Sequence, residues 1–329
     1  IASKWPKKLQ RYGAWCLKFS FVVLLTNLVL GILGFGFSSY GNSAVADEEA
    51  SNNIGLKGFF YAGNELSGVF IILFAWALHR AWQRSIFFYA IVALLTMGLG
   101  VLVATKAAMI SSVLLVFVIP LMNERNRILN LTWLKIKTAF PIIIVAIILA
   151  FILIPIFEST GLLARFIWFY EKKGVIGIIL SGRDEFIVAA INGFTAHANW
   201  LDYIFGFSKT GLGLFTKNAM EIDPIDMYLW HGIAGILLFL LYCASFLRVS
   251  YIACCFSKSV WGPIALIINI SLIAVSFIAG HIFTSGMLAP LLGLINGLAY
   301  LDYMNASKAT SVNYTAPHTI PKGLVSPNE

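Results

Sequence analysis

Charge is what this chain has least of. Asp, Glu, Lys and Arg make up 12% of its 329 residues, about half the share of an ordinary globular domain, while 59% of the chain is hydrophobic. That balance excludes a soluble globular domain and implies an integral membrane protein. Cysteine is scarce too, with only Cys16, Cys243, Cys254 and Cys255. All four fall in apolar runs or beside the basic flanks, so no disulfide is expected, and their spacing matches no metal site. Internal repeats, heptads and mirrored halves of the kind many transporters carry are absent. The first residues, IASKWPKKLQRYG, are a basic stretch and not a signal peptide, compatible with a chain whose earlier spans are absent.

What is present is a series of apolar runs that reach or approach the roughly 20 residues a spanning helix needs. They are too long and continuous for the alternating strands of a barrel. The expected fold is all-α: a polytopic membrane helix bundle with about eight spans, near 13–36, 66–79, 85–104, 107–122, 138–157, 227–247, 260–280 and 282–301, the second and fourth being short. Residues 1–301 form the bundle, including one large, partly helical external loop at 158–226. Residues 302–329, rich in Ser, Thr, Asn and Pro, are expected to be a disordered tail.

Lys and Arg in short loops are held back on the cytoplasmic side during insertion. Lys4, Lys7, Lys8 and Arg11, then Arg80 and Arg84, then Arg125, Arg127, Lys135 and Lys137, then Arg248 and Lys258 all fall on one side of this pattern. Lys308 and Lys322 join them, so both ends of the chain are expected to be cytoplasmic. The net charge of +8 then reports topology and contact with anionic membrane lipid, and no nucleic acid partner is implied.

The loop at 158–226 alternates apolar and polar pieces of helical length, which suits a folded cap better than a linker. Its first piece, ESTGLLARFIWFYEKK, suits a helix lying in the interface. Ser181 and Asp184 have the spacing of a capping box, which predicts a helix from there to about Tyr203. Asp184 and Glu185 suit the positive end of that helix, whereas Arg183 does not. It is stabilised either by an ion pair with a neighbouring carboxylate, Asp184 or Glu185, or by an anionic ligand shared with the helix N–H groups. Further on, Gly206, Gly211 and Gly213 with Lys209 and Lys217 make either an anion-binding nest or a plain turn. Glu221, Asp223 and Asp226 stand just before an apolar span, where single acids mark the interface and a set facing Arg183 and the lysines reads as a site.

Five segments, GNELSG at 63–68, ATKAAMISS at 104–112, SGRDEF at 181–186, FGFSKTGLG at 205–213 and EIDPIDMYLWHGIAG at 221–235, follow the order found in the bacterial O-antigen ligase and O-antigen polymerase family. The chain resembles that family over about 60–300. The resemblance implies a metal-independent glycosyltransferase, with no cofactor, working at the outer face of the bacterial cytoplasmic membrane. Its donor and acceptor would be glycans on undecaprenyl pyrophosphate, and a chain-length regulator protein would be a partner.

The loop arginine of that family falls on Arg183, with Arg165, Lys209, Lys217, Lys106 and Glu65 as further binding candidates. Ligases carry a His-Asn pair shortly before the Gly-x-x-Gly span; here carboxylates stand in its place, which leans toward a polymerase. Asp223 is then the first candidate for the base on the acceptor hydroxyl, followed by Glu221 and Asp226. His281 is the rival, against a plain interfacial role for it. His231 and His197 are weaker candidates. A lipid-linked oligosaccharide flippase is the alternative of another class; it would place charges mid-span, and these spans are nearly charge-free at their centres.

Overall fold

The computed structural model describes residues 6–40, 54–60, 62–124, 162–180, 182–214, 217–256 and 259–315. Helices α1 (Pro6–Ile32), α2 (Gly63–Arg84), α3 (Ile86–Val103) and α4 (Lys106–Asn123) form its first half. A cap follows, made of α5 (Leu162–Leu180), α6 (Arg183–His197), α7 (Trp200–Phe205) and α8 (Ser208–Leu212). The long α9 (Asp223–Cys255), α10 (Trp261–Ala279) and α11 (Leu288–Thr315) complete the bundle. The one departure from all-helical structure among the described residues is a hairpin of β1 (Phe37–Tyr40) and β2 (Ile54–Gly58), antiparallel with Phe37 opposite Gly58 and Tyr40 opposite Ile54. It lies in what the sequence presents as a polar loop.

Five of the described helices are long and apolar enough to cross a membrane: α1 over Lys8–Ile32, α3, α4, α9 and α10. Several apolar helices packed side by side make this a membrane-type helix bundle. Helix α2 runs through its centre, and Leu66 to Leu78 are buried without interruption. A helix apolar on every side belongs inside a bundle. Because its ends carry Glu65, Arg80 and Arg84, composition shortens it to 66–79, and the structure extends it to Gly63–Arg84.

Three other boundaries differ from expectation. The expected span at 138–157 lies outside the described residues. Residues 280–287 form turns and not the start of a span, so the last apolar helix begins at Leu288. The reason is local: Gly280 and His281 have φ of 21° and 61°, and a buried carboxylate takes the next main-chain N–H groups. Finally, α11 continues to Thr315 where a disordered tail is expected from Asp302. Asp302 anchors the start of that stretch, accepting hydrogen bonds from Gln10 Nε2 at 2.8 Å, Ser259 Oγ at 2.8 Å and the N–H groups of Val260 and Trp261 at 2.9 and 2.8 Å, and the remainder of the expected tail, 316–329, lies outside the described residues.

Those bonds gather the start of α1, the α9–α10 turn and the far part of α11 at one end of the bundle, toward which Lys8, Arg11, Arg80, Arg84 and Arg248 also lie. Midway, Asn269 and Asn296 exchange side-chain hydrogen bonds of 2.8 and 3.1 Å, and Asn269 also donates to Ser250 at 3.2 Å. Buried amides paired in this way satisfy groups that would be costly in an apolar interior. At the opposite end, Asn27 braces the hairpin by donating to Lys57 O and accepting from Phe59 N. Ser39 Oγ donates to Val103 O at 2.6 Å, and Ser67 shares a 2.6 Å hydrogen bond with Thr105, the N-cap of α4.

Candidate functional site

The cap is seated on that second end through backbone contacts only glycine allows. Helix α9 breaks at Gly232, with φ 62° and ψ −156°, and a Cβ there would stand 2.4 Å from the carbonyl carbon of Ile204. Gly206, at φ 75°, lies as tightly on the break, where a Cβ would be 2.3 Å from His231 N. Phe207 N donates to Leu229 O at 3.0 Å, taking up a carbonyl that the break frees. The glycines of FGFSKTGLG therefore serve chain packing at Gly206. Lys209 rests over the ring of Trp230, 5.4 Å from its centroid, whose indole N–H donates to Asn218 O.

The helix expected from Ser181 to about Tyr203 is two. Helix α6 ends at His197, and Asn199 with Asp202 forms a capping box that starts α7. Gly182, in the left-handed conformation, is the N-cap of α6 and gives no side-chain cap; Ser181 lies outside the described residues. Asp184 and Glu185 sit in the first turn as expected, but they do not hold the arginine. Both pair with Lys173 of α5, at 2.8 and 2.7 Å. Hydrogen bonding to Lys173 holds Asp184 below the usual carboxylate range, and the two acids raise Lys173 in return. Sequence reasoning missed Lys173 as a partner; its only signal is a cation within one helix-length of two acids.

Arg183 turns to the other side of the site. Its Nη2 and Nε donate to Glu221 Oε2 at 3.0 and 3.3 Å, and its Nη1 donates to Ile278 O at 3.4 Å. The second oxygen of Glu221 accepts from Lys217 Nζ at 2.7 Å. One carboxylate thus bridges two cations, with side-chain exposures of 16% for Arg183, 30% for Glu221 and 46% for Lys217. Burial works to raise the Glu221 carboxyl, but the bond from Lys217 and the charge of Arg183 outweigh it and leave it below the usual range. Lys217 also stands 5.0 Å from the ring centre of Phe186. The group carries a net positive charge and opens to solvent on the Lys217 side.

Behind it lie two buried carboxylates with structural partners. Asp223 Oδ1 accepts from His281 N at 2.6 Å, and its Oδ2 from Ile282 N at 2.9 Å and Phe283 N at 3.0 Å. Asp226 accepts from Met220 N at 2.6 Å and Glu221 N at 3.1 Å. Both residues are essentially inaccessible. Held by three and two main-chain donors respectively, these carboxylates fix turns, and their burial keeps them from an acceptor hydroxyl. Glu221, half-buried at the mouth, is the carboxylate of the three that faces outward.

The other candidates take no part in this ion-pair group. His281 follows Gly280 in the turn that Asp223 holds, and its side chain is half-buried. Lys106 begins α4 and lies 5.5 Å from the ring centre of Phe169 in α5. Glu65 occupies the first turn of α2. Arg165 belongs to α5, with its side chain outside the described residues. A continuous set of contacts joins all five quoted segments. Ser67 meets Thr105, Gly68 packs on Leu288 and Ile282, Ile282 bonds to Asp223, Glu221 bonds to Arg183, and Gly206 lies on Trp230.

No protein-family model, curated protein or solved structure matches this chain. The site is therefore read from its own chemistry. Among the described residues no group of His, Cys, Asp and Glu is arranged to hold a metal ion. A guanidinium fork and an ammonium on one bridging carboxylate suit a ligand with two or more anionic oxygens.

Proposed function

We propose that the protein is a metal-independent membrane glycosyltransferase that polymerises undecaprenyl-pyrophosphate-linked repeat units into a surface polysaccharide. The observation that carries this reading is the Arg183–Glu221–Lys217 group, where two of the five segments of the family resemblance, 181–186 and 221–235, come together. It stands at the end of the bundle opposite Lys8, Arg11, Arg80, Arg84 and Arg248. With that basic end in the cytoplasm, as the charge rule requires, the group faces outward, where lipid-linked glycans are joined. The eight-span topology belongs to the same proposal.

The transfer needs a bound pyrophosphate leaving group and a base for an acceptor hydroxyl. Arg183 supplies a bidentate phosphate contact and Lys217 a point charge, while among the described residues the core of the bundle pairs its amides among themselves and buries no Lys or Arg. That arrangement favours chemistry at a face over a flippase. Carboxylates in place of the ligase His-Asn pair favour polymerase over ligase.

The test supplies purified protein with lipid-linked repeat units alone. Wild type is expected to give a ladder of longer lipid-linked glycans, and Arg183→Ala none while still accumulating in the membrane. A ladder from Arg183→Ala equal to that of wild type refutes the site; product only after a lipid A core is added reassigns the protein as a ligase.

A further inference from the structure

Glu221 combines a tightly held backbone with a partly exposed carboxylate. Its φ of 61° lies in the left-handed region, disfavoured for a residue with a side chain. Two contacts hold it there. Its N–H donates to Asp226 Oδ2, and Gly280 lies so close that a Cβ at 280 would stand 2.1 Å from the Glu221 carbonyl carbon. Backbone fixed on both sides aims the side chain between Arg183 and Lys217. There each carboxylate oxygen is held by a cation, the kind of partner for which a phosphate oxygen competes directly.

We propose that Glu221 is a place-holding anion in the diphosphate site, and that an arriving donor, by taking Arg183 and Lys217, frees its carboxylate to act as the base on the acceptor hydroxyl. This rests on the glycosyltransferase reading above. A diphosphate brings more negative charge to the two cations than one carboxylate does, so the exchange favours the donor. Once released, Glu221 loses the two partners that lower its proton affinity, while the burial that raises it remains. The base therefore strengthens when the donor is in place. Asp223 and Asp226 cannot do this, because releasing either one leaves main-chain donors of the 280–283 or 220–221 turns unpaired.

In the transfer the hydroxyl proton passes to Glu221 as the hydroxyl oxygen bonds to the anomeric carbon. The bond from that carbon to the diphosphate oxygen breaks, and its electron pair leaves on the lipid diphosphate, held by Arg183 and Lys217. When that product departs, Glu221 gives its proton to water and pairs with the cations again. With no donor bound, the base is occupied.

The test is calorimetric binding of inorganic diphosphate and farnesyl diphosphate to the full chain in detergent, beside chain extension from lipid-linked repeat units. Glu221→Gln is expected to bind both probes about tenfold more tightly than wild type, because the competing anion is gone, and to lose extension. Glu221→Asp, charged but too short to bridge both cations, is expected to bind more tightly and to keep measurable extension. It decides the matter if Glu221→Gln is not monodisperse on gel filtration.

Equal or weaker binding by both variants, with binding still abolished in Arg183→Ala, overturns the place-holding role and leaves the diphosphate site standing. Wild type and Arg183→Ala binding alike would remove the diphosphate site and the glycosyltransferase reading together. Farnesyl diphosphate binding no more tightly than inorganic diphosphate would overturn the assignment to a lipid-linked donor.

Discussion

Replacing Asp223 by Ala separates a clamp from a catalyst. The carboxylate accepts three main-chain hydrogen bonds of 2.6 to 3.0 Å from His281, Ile282 and Phe283 in a fully buried position. Hydrogen bonds to an ionised group contribute about 1.5–3 kcal/mol each, and stranding buried donors costs a comparable amount. The N–H groups of half-buried His281 and Phe283 regain some water after the substitution, which brings the expected loss to about 3–5 kcal/mol. Read as the midpoint for heat-induced loss of the monodisperse gel-filtration peak, that is a fall on the order of 10 °C. Chain extension should fall in parallel, since the turn also carries the end of α10, where Ile278 O receives Arg183. An unchanged midpoint together with abolished extension would refute this reasoning and return Asp223 to the role of base.

Two further expectations concern packing and pH. Gly206→Ala puts a side chain at φ 75° and 2.3 Å from His231 N, so a loss of at least about 2–4 kcal/mol is expected, whereas Gly211→Ala, with its nearest atom 3.5 Å away, should change stability by less than about 0.5 kcal/mol; equal melting of the two variants would undo the assignment of the α7–α9 contact. Because Glu221 is held below its ordinary value of 4.5, the stability it contributes is present above that value and is lost as pH falls through the lower folded-state value. The wild-type advantage over Glu221→Gln, on the order of 1 kcal/mol at this half-open site, should be flat near neutrality and shrink in acid, and an advantage that grows on acidification would contradict the ion pairing.

The apolar helices were legible because their signal is local. Runs of Leu, Ile, Val and Phe give the cores of α1, α3, α4, α9 and α10 almost directly. The failures are long-range. Nothing near residue 183 announces that the partner of Arg183 stands 38 positions away, and proximity instead suggested Asp184 and Glu185, which Lys173 takes. Asp223 was picked as a base because a carboxylate entering an apolar helix looks the same in sequence whether it faces a substrate or a ring of main-chain donors. Its donors come from 281–283, about 60 residues later, and that same pairing moved the start of α11 to Leu288. The tail looked disordered because Ser, Thr and Asn dominate it, yet Asp302, an unremarked acid at its first position, ties three elements together. The clustering of Arg183, Lys217 and Glu221 was legible only as a set of charges sharing one loop.

The bonds to Asp302 also tie together parts of the chain that are far apart in sequence. Helix α1 is synthesised well before α11, yet they share this carboxylate through Gln10, and Asn269 of α10 finds an amide partner on α11 as well. Without α11, Gln10 and the start of α10 lose their shared acceptor, and the Asn269 side chain keeps only its partners Phe246 and Ser250 on α9. Losing α11 thus strips polar partners from three places at once, at Gln10, at the start of α10 and at Asn269, so the last apolar helix completes hydrogen bonding that the earlier ones begin.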